Sequence, residues 1–387
     1  MNILHVINSS NPAGGGPIES IVQAHLALHQ AGHRFEIVCL DQPDAAWLQN
    51  FPLSVHATGP ALSRYRYSPR LVPWIRAHAA RFDCAIVHGV WRHPSLAVRR
   101  ALRGTGVPFF LYTHGMLDPA FRTLFPVRHA IKSLWWKTIE YRVVRDARAV
   151  FFTCEEERRL AHESFKPLEC RDALVPYCVG EPPGDPEVQK QAFLQRFPQL
   201  RAGRFILFLS RIHPKKGCDL LIRAFAEAAA GTPDTRLAMA GPDPVGWADE
   251  LRNLAERLGV ADRITWTGML SGDLKWGAFR SADVFVLPSH QENFGIAVVE
   301  ALSCGVPVLT TDRVNIWREI QADGAALIGR DTSEGAKRML EEWLGLDQKK
   351  RETMRGNART CFAARFRSAE AAANLLAVLR EHGVREK

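Results

Sequence analysis

The chain has 387 residues, of which 47% are hydrophobic and 24% charged, and its formal net charge is +9. These values are typical of a globular protein and exclude an intrinsically disordered chain. At about 100–200 residues per domain, the length predicts two domains with separate hydrophobic cores. The positive charge is compatible with nucleic acid, an acidic membrane surface or a phosphate-bearing small molecule, and does not choose among them.

Cysteines and terminal segments bear on the compartment of the protein. The eight cysteines are scattered, with no Cys-x-x-Cys pair and no regular spacing. In a chain of this size, that pattern favours reduced, mostly buried thiols over a disulfide scaffold. The N-terminus MNILHVINSSNP lacks the basic and apolar stretches of a signal peptide, and no apolar run approaches the ~18–20 residues that span a bilayer. We therefore predict a cytoplasmic protein.

The N-terminal part of the chain predicts alternating strands and helices. ILHVI is a short apolar run, NSSNPAGGGP is a cluster of breakers, IESIVQAHLALHQAG has apolar residues at helical spacing, and FEIVCL is a second strand. The nearly continuous apolar runs in CAIVHGV, VPFFLYTHG and AVFFTC are typical of parallel strands buried on both faces. We predict a doubly wound α/β domain over residues 1–178.

A second set of strands begins near residue 204, in RFILFLSRI, TRLAMAGP, RITWTG, DVFVLPS and VPVLTT. It predicts another doubly wound α/β domain over residues 201–365. The Pro- and Gly-rich stretch LVPYCVGEPPGDPEVQK predicts a linker over residues 179–200, and a C-terminal helix at about 366–384 is expected to pack back on the first domain. Two such domains would face each other across a cleft, where the carboxyl ends of parallel strands bind ligands.

Two glycine-containing loops are candidate phosphate sites. Gly14–Gly16 separate the first strand from the first helix, although their spacing fits neither a dinucleotide fingerprint nor a Walker loop. The alternative for this loop is a flexible turn. In SRIHPKKGCDLLIRAF, Arg211 closes a strand, and Lys215 and Lys216 lie in the following loop. Arginine can hold a phosphate through two parallel hydrogen bonds, whereas lysine supplies a point charge.

Polar residues follow two further strands. YTHGMLDP places His114 at the end of a strand, where its ring can donate a hydrogen bond to a sugar hydroxyl. HQENFGIAVVEALSCG predicts a loop carrying Glu292 and a helix that starts near Gly295. Glu300 lies ~7–8 Å along the helix axis from Gly295, so the two carboxylates are unlike a close acid/base pair. Their spacing suits a ligand with hydroxyls at both ends and phosphates between them.

Residues 121–148 form a basic, aromatic-bearing segment. It carries seven basic residues against Glu140 and Asp146, namely Arg122, Arg128, Lys132, Lys137, Arg142, Arg145 and Arg148. Helical spacing predicts that Ile131, Leu134, Trp135 and Ile139 face the core, and that Arg128, Lys132 and Trp136 form another ridge. Such a helix can lie on the inner face of an anionic membrane. The alternative is an ordinary solvated helix face.

These motifs together resemble glycosyltransferase family 4, whose members are retaining GT-B enzymes that use nucleotide sugars. The resemblance covers nearly the whole chain and includes the Gly-Gly-Pro loop with AGHRFEIV, THGMLDP, SRIHPKKGCDLLIRAF, the glycine of WTGML and PSHQENFGIAVVEALSCGVPVL. The last of these is similar to the Glu-x7-Glu signature of the family. VPYCVG departs from the Asn-Gly turn that many members have in the linker.

The resemblance implies a GT-B fold with two Rossmann-like domains, of which the first binds the acceptor and the second the nucleotide sugar. The expected reaction is transfer of a hexose-like sugar from a UDP- or GDP-sugar to a saccharide or polyprenyl-linked acceptor in cell-surface polysaccharide biosynthesis. In this family the incoming hydroxyl is thought to attack from the side of the leaving group, so that no covalent nucleophile is required.

The resemblance also implies a set of donor-binding residues: Gly15, Gly16, Arg211, Lys216, Gly268, Glu292, Asn293, Phe294, Gly295, Ile296 and Glu300. Arg211 and Lys216 would neutralise the leaving diphosphate, with Lys215 as the alternative lysine. Glu292 would hold hydroxyls of the transferred sugar beside the backbone amides of the following loop. Glu300 would bind the ribose, and His114 would lie near the C6 hydroxyl of the sugar. The catalytic residues implied are His114, Arg211, Lys216 and Glu292.

No Asp-x-Asp triplet, the acidic motif by which many glycosyltransferases hold a divalent ion, occurs in the chain. The sequence therefore predicts activity without a metal or another cofactor. Two other hypotheses remain. A sugar-nucleotide epimerase would use the same diphosphate contacts and need acid/base groups around the sugar ring. A polyanion- or membrane-binding protein would show salt-dependent binding that survives loss of Glu292 and Glu300, but it leaves the glycine loops unexplained, and we predict no nucleic-acid partner.

Overall fold

The computed structural model describes residues 1–120, 122 and 126–386. The chain divides into two compact units, the first formed by Met1–Gly180 and Phe366–Lys387 and the second by Glu181–Arg365. Each unit is built around one sheet in which all paired strands are parallel. The predicted α/β class with two parallel sheets is confirmed.

The sheet of the first unit has seven strands. They are β1 Asn2–Val6, β2 Arg34–Cys39, β3 Ser54–Ala57, β4 Cys84–His88, β5 Phe109–Tyr112, β6 Val150–Phe152 and β7 Asp172–Leu174. Their order is β3-β2-β1-β4-β5-β6-β7. Ile3 of β1 lies opposite Phe35 on one side and Cys84 on the other. The order reverses between β1 and β4, and the carboxyl ends of strands at such a switch point are where doubly wound sheets bind ligands.

Helices cover both faces of this sheet. The described ones are α1 Gly16–Leu28, α2 Leu71–His78, α3 His93–Leu102, α4 Pro126–Trp135, α5 Tyr141–Asp146, α6 Glu155–Ser164 and, from the C-terminus, α15 Ser368–Glu381. One core lies between the sheet and α1 with α15, and it includes Ile21 and Leu375. A second core lies on the other face and includes Ile75 and Val98. Such two-sided burial explains why the strands read as nearly continuous apolar runs.

The second unit repeats the arrangement with six strands. They are β8 Arg204–Leu209, β9 Thr235–Ala240, β10 Ile264–Gly268, β11 Val284–Leu287, β12 Val308–Thr311 and β13 Ala326–Gly329. Its helices are α7 Pro186–Arg196, α8 Cys218–Ala228, α9 Ala248–Arg257, α10 Gly272–Ser281, α11 Ile296–Ser303, α12 Trp317–Ala322, α13 Ser333–Gly345 and α14 Gln348–Arg365. The strand order is β10-β9-β8-β11-β12-β13, so the switch point lies between β8 and β11.

The segment predicted as a linker contains α7, which belongs to the second unit. Asp185 caps this helix by accepting hydrogen bonds from the amides of Glu187 (2.8 Å) and Val188 (3.0 Å). Phe193 on α7 is fully buried. A Cβ added to Gly277 of α10 would lie 2.1 Å from the carbonyl oxygen of Gln189, so the two helices are in close contact. Residues from 181 onward therefore fold with the second unit, and the predicted linker is wrong there.

The orientation predicted for the basic segment is also wrong. Ile131 and Leu134 are 66% and 67% exposed, whereas Trp136 is 1% exposed. The indole of Trp136 packs against Phe165 and donates a hydrogen bond to the carbonyl of Pro167 at 2.9 Å, which fixes this side of the helix inward. A π-helical turn over Trp136–Glu140 interrupts the 3.6-residue period on which the prediction was based. Residues 121 and 123–125 of the predicted segment lie outside the described residues.

Two further features concern the helices and the cysteines. Within the described part of the chain, no helix combines the length and apolarity that a membrane span needs. All eight cysteines are free thiols; Cys170 and Cys304 are half-buried and the others buried.

Candidate active site

Three histidines form a hydrogen-bonded row across the carboxyl ends of β1, β4 and β5 in the first unit. His5 Nδ1 lies 2.9 Å from His88 Nε2, and His88 Nδ1 lies 3.0 Å from His114 Nε2. The row ends at the hydroxyl of Tyr177, 2.5 Å from His114 Nδ1. Both ring nitrogens of His114 therefore have protein partners. The strand order places His5 and His88 beside the residue that the sequence had singled out.

Burial keeps this row uncharged. It lowers the pKa of His5 and of His114 to about 3, and it lowers the pKa of His88 well below its ordinary value. Each neutral ring carries one N–H, so the N–H groups along the row must point in one direction. Among the described residues, the buried Nε2 of His5 has no hydrogen-bond partner. A buried N–H without an acceptor is rarer than an unused acceptor, so we infer that the protons point from His5 toward Tyr177.

The turn that carries His114 is held by a buried carboxylate. His114 has a φ of +51°, an uncommon conformation for a residue other than glycine. Glu157, 3% exposed, accepts hydrogen bonds from the Thr113 hydroxyl (2.7 Å) and the Gly115 amide (2.5 Å) on either side of His114. Its other oxygen accepts from the amide of Thr153 at 2.7 Å. Glu157 therefore ties the strained turn to β6.

The glycine loop precedes α1 in the same unit. Gly15 has a φ of +78° and its amide donates to the carbonyl of Pro12 at 3.1 Å, while Gly16 is the first residue of α1. Asp41 anchors the start of the loop by accepting hydrogen bonds from Ser9 and Ser10. Burial alone would raise the pKa of Asp41, but these hydrogen bonds outweigh it and lower that pKa. Of the two predicted donor glycines, Gly16 thus lies at the helix start and Gly15 has its amide in the turn.

In the second unit, the loop after β8 meets the loop after β11. Lys216 Nζ contacts Glu292 Oε2, and the Lys216 side chain is 9% exposed. Lys215 instead contacts Gln291, with Nζ 3.3 Å from Oε1. The two lysines thus differ in their described partners, since Lys216 meets the predicted site carboxylate Glu292 and Lys215 meets Gln291. Arg211 is exposed just beyond the end of β8.

Gly217 allows these two loops to approach. Its φ is +66°, and an added Cβ would lie 2.0 Å from the carbonyl oxygen of Pro288. The hydroxyl of Ser289 donates to the carbonyl of Lys215 at 2.8 Å, and the His290 amide donates to the same carbonyl at 2.9 Å. Only glycine combines that backbone conformation with so close a contact, which explains the Lys-Gly sequence before α8.

The loop after β11 is held by the residues that follow β12 and then enters α11. The Glu292 amide donates to the carbonyl of Arg313 and the Asn315 amide donates to the carbonyl of Glu292, each at 3.0 Å. Gly295, with a φ of +76°, precedes Ile296 at the start of α11. The Val298 amide donates to the carbonyl of Gly295 at 2.8 Å, so among the described residues only the amides of Ile296 and Ala297 in the first turn lack an acceptor. Phe294, a predicted donor-binding residue, is buried, with 2% of its surface exposed.

Glu300 of α11 also pairs with a lysine. Its Oε1 lies 2.5 Å from Lys275 Nζ of α10, and the Glu300 side chain is 12% exposed. Lys275 Nζ also lies 4.7 Å from the ring centroid of Trp276, a cation–π contact. The two glutamates after β11 thus contact different lysines, Lys216 and Lys275. This arrangement agrees with separate roles for them.

Comparison with protein-family models identifies both halves of the chain. The model described as glycosyl transferases group 1 matches residues 192–360, and the model described as Glycosyltransferase Family 4 matches residues 14–171. The chain belongs to glycosyltransferase family 4.

Curated relatives match part of the chain. D-inositol 3-phosphate glycosyltransferase of Mycolicibacterium gilvum is 42% identical over 111 residues, which are 28% of this chain and 24% of that protein. D-inositol 3-phosphate glycosyltransferase 2 of Catenulispora acidiphila is 37% identical over 126 residues, 31% of this chain and 29% of that protein. The matches thus span less than a third of these curated relatives.

Similarity to solved structures extends over nearly the whole chain and shows the GT-B fold. Anabaena HepE, solved in complex with UDP and glucose, has a TM-score of 0.75 at 18% identity and covers 98% of this chain and 100% of its own. Sucrose-phosphate synthase of Thermosynechococcus elongatus has a TM-score of 0.78 at 18% identity, covering 98% of this chain and 99% of its own.

The remaining features of this family 4 chain concern Gly268 and metal ligands. Gly268, at the end of β10, has a φ of +69°, and its carbonyl accepts a hydrogen bond from the Gly241 amide at 2.8 Å. Gly268 therefore lies at the end of an edge strand, whereas Lys216 and Glu292 follow the central strands β8 and β11. In the residues that the structure describes, no three His, Cys, Asp or Glu side chains are grouped so that they could hold a metal ion.

Sequence reasoning missed several residues of this family 4 chain. They are His5, His88, Glu157, Tyr177 and Lys275. His88 carried a usable signal, because it ends the apolar run CAIVH just as His114 follows VPFFLY. Lys275 carried no such signal, because it lies 25 residues before its partner Glu300 and on a different helix.

Proposed function

We propose that the chain is a retaining glycosyltransferase that moves a hexose-like sugar from a UDP- or GDP-sugar to a saccharide or polyprenyl-linked acceptor, in the cytoplasm, during cell-surface polysaccharide biosynthesis. The observation that carries the proposal is two lysine–glutamate contacts. Lys216 after β8 meets Glu292 after β11 at the switch point of the second sheet, and Lys275 of α10 meets Glu300 of α11. The presence of UDP and glucose in the structure of HepE supports a UDP-sugar donor.

The charges of these residues suit the two ends of a nucleotide sugar. Arg211 and Lys216 would neutralise the negative charge that develops on the diphosphate as the glycosidic bond breaks. Glu292, an acceptor-only carboxylate, would receive hydrogen bonds from sugar hydroxyls, and Glu300 would receive them from the ribose. The first-turn amides of α11 would face the phosphates and the sugar. The reaction then needs neither a metal nor another cofactor.

His114 is proposed to act next to the transferred sugar. Because His88 and Tyr177 already occupy its two ring nitrogens, a sugar hydroxyl must replace one of them. His114→Asn should lower kcat and leave free nucleotide binding unchanged.

Ligand binding and turnover test the donor site separately. UDP and GDP, their sugars and matched free sugars are screened by thermal shift, where a ligand at 100 times its Kd should add roughly 2.7 kcal/mol of stability. Glu300→Gln should weaken free-nucleotide binding. Glu292→Gln should retain it and lose sugar transfer. Glu250→Gln, an exposed carboxylate change on α9, is the matched control.

Three results would contradict the proposal. One is a chain that responds to no nucleotide or nucleotide sugar. The second is conversion of the nucleotide sugar to its epimer without an acceptor, which supports the epimerase hypothesis. The third concerns the metal: turnover should persist in excess chelator, and complete loss restored by Mg²⁺ or Mn²⁺ would show that Arg211 and Lys216 do not suffice.

A peripheral membrane contact is the second part of the proposal. Val127, Ile131 and Leu134 lie on one face of α4 and are 73%, 66% and 67% exposed. Arg128 on the same helix and Lys137 just after it are exposed as well. Large exposed apolar side chains at helical spacing are uncommon on a soluble surface, and cations beside them favour anionic lipid over a neutral surface.

Vesicle cosedimentation tests this contact. The parent chain should bind phosphatidylglycerol-containing vesicles better than phosphatidylcholine vesicles. Substitution of Val127, Ile131 and Leu134 by serine should weaken binding at least about tenfold, since burial of each apolar side chain contributes roughly 1.5 kcal/mol or more. The control triple Leu26→Ser, Val188→Ser and Met269→Ser removes apolar side chains of similar exposure. Unchanged binding of the α4 variant, or a dimer that this variant abolishes, would contradict the proposal.

A further inference from the structure

A cavity of about 720 Å³ lies in the first unit at the amino-terminal ends of β5, β6 and β7. His114 lies at the opposite, carboxyl ends of the strands, because all strands of this sheet run parallel. Buried Leu102, Val107 and Phe109 are among its lining residues. Its volume falls within the ~300–1,000 Å³ of small-molecule sites. No role in the proposed transfer reaction is assigned to it.

Five arginines line this cavity: Arg99, Arg103, Arg145, Arg148 and Arg171. They come from the end of α3, from α5 and from the residues just before β6 and β7. The lining also includes two carboxylates, Asp146 and Glu169. The arginines therefore outnumber the carboxylates by three, and their positive charge is concentrated around one concave surface.

The two carboxylates are already engaged. Asp146 accepts from Arg99 Nε at 2.6 Å and from Arg145 Nε at 3.0 Å. Burial would raise the pKa of Asp146, but its hydrogen bonds to the two guanidiniums lower it. Glu169 accepts from the hydroxyl of Tyr141 at 3.1 Å. Neither carboxylate contacts the other three arginines.

Arg103, Arg148 and Arg171 have no such partner. Their side chains make no hydrogen bond or ion pair with residues 1–120, 122 and 126–386. The backbone holds two of them in place, since the Arg148 amide donates to the carbonyl of Phe109 at 2.8 Å and the Val150 amide donates to that of Arg171 at 2.7 Å. The carbonyl end of α3 adds about half a negative charge, well below the charge of three guanidiniums.

We propose that this arginine cavity is a second anion site, separate from the nucleotide-sugar site, that binds a phosphate group attached to an organic body. Guanidiniums bind phosphate oxygens through paired hydrogen bonds, and three of them on one concave surface suit a multiply charged phosphate. The apolar residues of the lining suit the organic part of the ligand. The same chemistry is offered by the headgroup of an anionic phospholipid and by a soluble phosphate ester.

The test compares two triple variants of the full chain. One removes the unpartnered guanidiniums, with Arg103, Arg148 and Arg171 replaced by glutamine. The control replaces Arg34, Arg223 and Arg257, which are exposed elsewhere, and removes the same charge. Both triple variants should have the Tm of the parent chain. If the cavity variant has a lower Tm, the single variant Arg148→Gln replaces it in the test. Two probes are used, glycerol 3-phosphate and phosphatidylglycerol vesicles. Binding of glycerol 3-phosphate is measured by calorimetry, with UDP present to occupy the proposed donor site.

We expect the cavity variant to lose at least about tenfold in affinity for one or both probes, and the control to stay within about twofold of the parent. Loss for vesicles alone identifies the lipid headgroup as the source of the phosphate, and loss for glycerol 3-phosphate identifies a soluble ester. Equal binding by parent and cavity variant, or equal losses in both variants, overturns the proposal. Nucleotide binding in the donor-site assay is independent of either outcome.

Discussion

The buried histidine row makes the stability of the first unit depend on pH. His5 is 2% exposed and its folded-state pKa is about 3, against about 6.5 for an unfolded histidine. Between these values the unfolded chain binds a proton that the folded chain does not. Stability is therefore complete above pH 6.5 and falls as the pH decreases toward 3. At pH 5 the loss from His5 alone is about 2 kcal/mol.

Asparagine at position 5 isolates this contribution. Its side-chain amide can occupy the place of Nδ1 beside His88, but it does not titrate. The smaller side chain should destabilise the first unit at pH 7.5. Between pH 7.5 and pH 5, however, the parent should lose about 2 kcal/mol more than His5→Asn. Hydrogen exchange of the β1 amides at both pH values measures the opening free energy of this unit.

Each protein at pH 7.5 is its own reference, so the loss of stability caused by the cavity at position 5 cancels from the comparison. NMR titration of the histidine ring carbons gives a direct check, in which His5 and His88 should show no protonation between pH 8 and pH 5. Parallel pH profiles for parent and His5→Asn, or ring signals that titrate near pH 6.5, would refute the assignment of a neutral row.

Three further predictions concern packing and backbone. Gly217→Ala should lower the free energy of unfolding by more than about 2 kcal/mol, because the added Cβ makes a 2.0 Å contact and the φ is unfavourable. Gly259→Ala, with a similar φ and no nearby atom, should lower it by about 1–2 kcal/mol, as urea unfolding can measure. Phe193→Ala should lower the free energy of unfolding of the second unit by roughly 3–5 kcal/mol, because Phe193 is buried. The control Val188→Ala, at an exposed position of the same helix, should lower it by less than about 0.5 kcal/mol. Equal effects in unfolding measurements would mean that α7 is a linker. Glu157→Gln should lower the Tm, because a carboxylate that accepts from both sides of the His114 turn becomes partly a donor.

The sequence was informative where local patterns decide structure. Continuous apolar runs predicted the parallel strands, and glycine after a strand predicted the loops at Gly217 and Gly295. The helix α7 was missed because the prolines and glycines before it suggested a linker, although Asp185 followed by Pro186 is a helix-start pattern. The face of α4 was assigned wrongly because apolar residues occur on opposite faces, Ile131 and Leu134 on one and Trp136 on the other. The packing of Trp136 against Phe165, which is distant in sequence, decides which face lies inward.

Partners that are distant in sequence could not be predicted. His5 meets His88 because β1 and β4 are neighbours, and that adjacency follows from the strand order and not from either residue. The same holds for Lys275 and Glu300, which depend on how α10 and α11 pack. Sequence spacing thus identified residues at the ends of strands, but the strand order and helix packing determined which of them touch.

The two lysine–glutamate pairs of the second unit are poorly explained by stability alone. Removing a charged pair from water costs several kcal/mol per ion, which the attraction between the partners roughly offsets, so well-packed apolar residues would serve a core equally well. The chain instead holds a nearly buried lysine against Glu292 and another lysine against the mostly buried Glu300. We propose that each pair presents hydrogen-bond donors and acceptors to a ligand. The desolvation that makes the pairs costly in folding also strengthens their interaction with a diphosphate or a hydroxyl, which is why we assign them to binding.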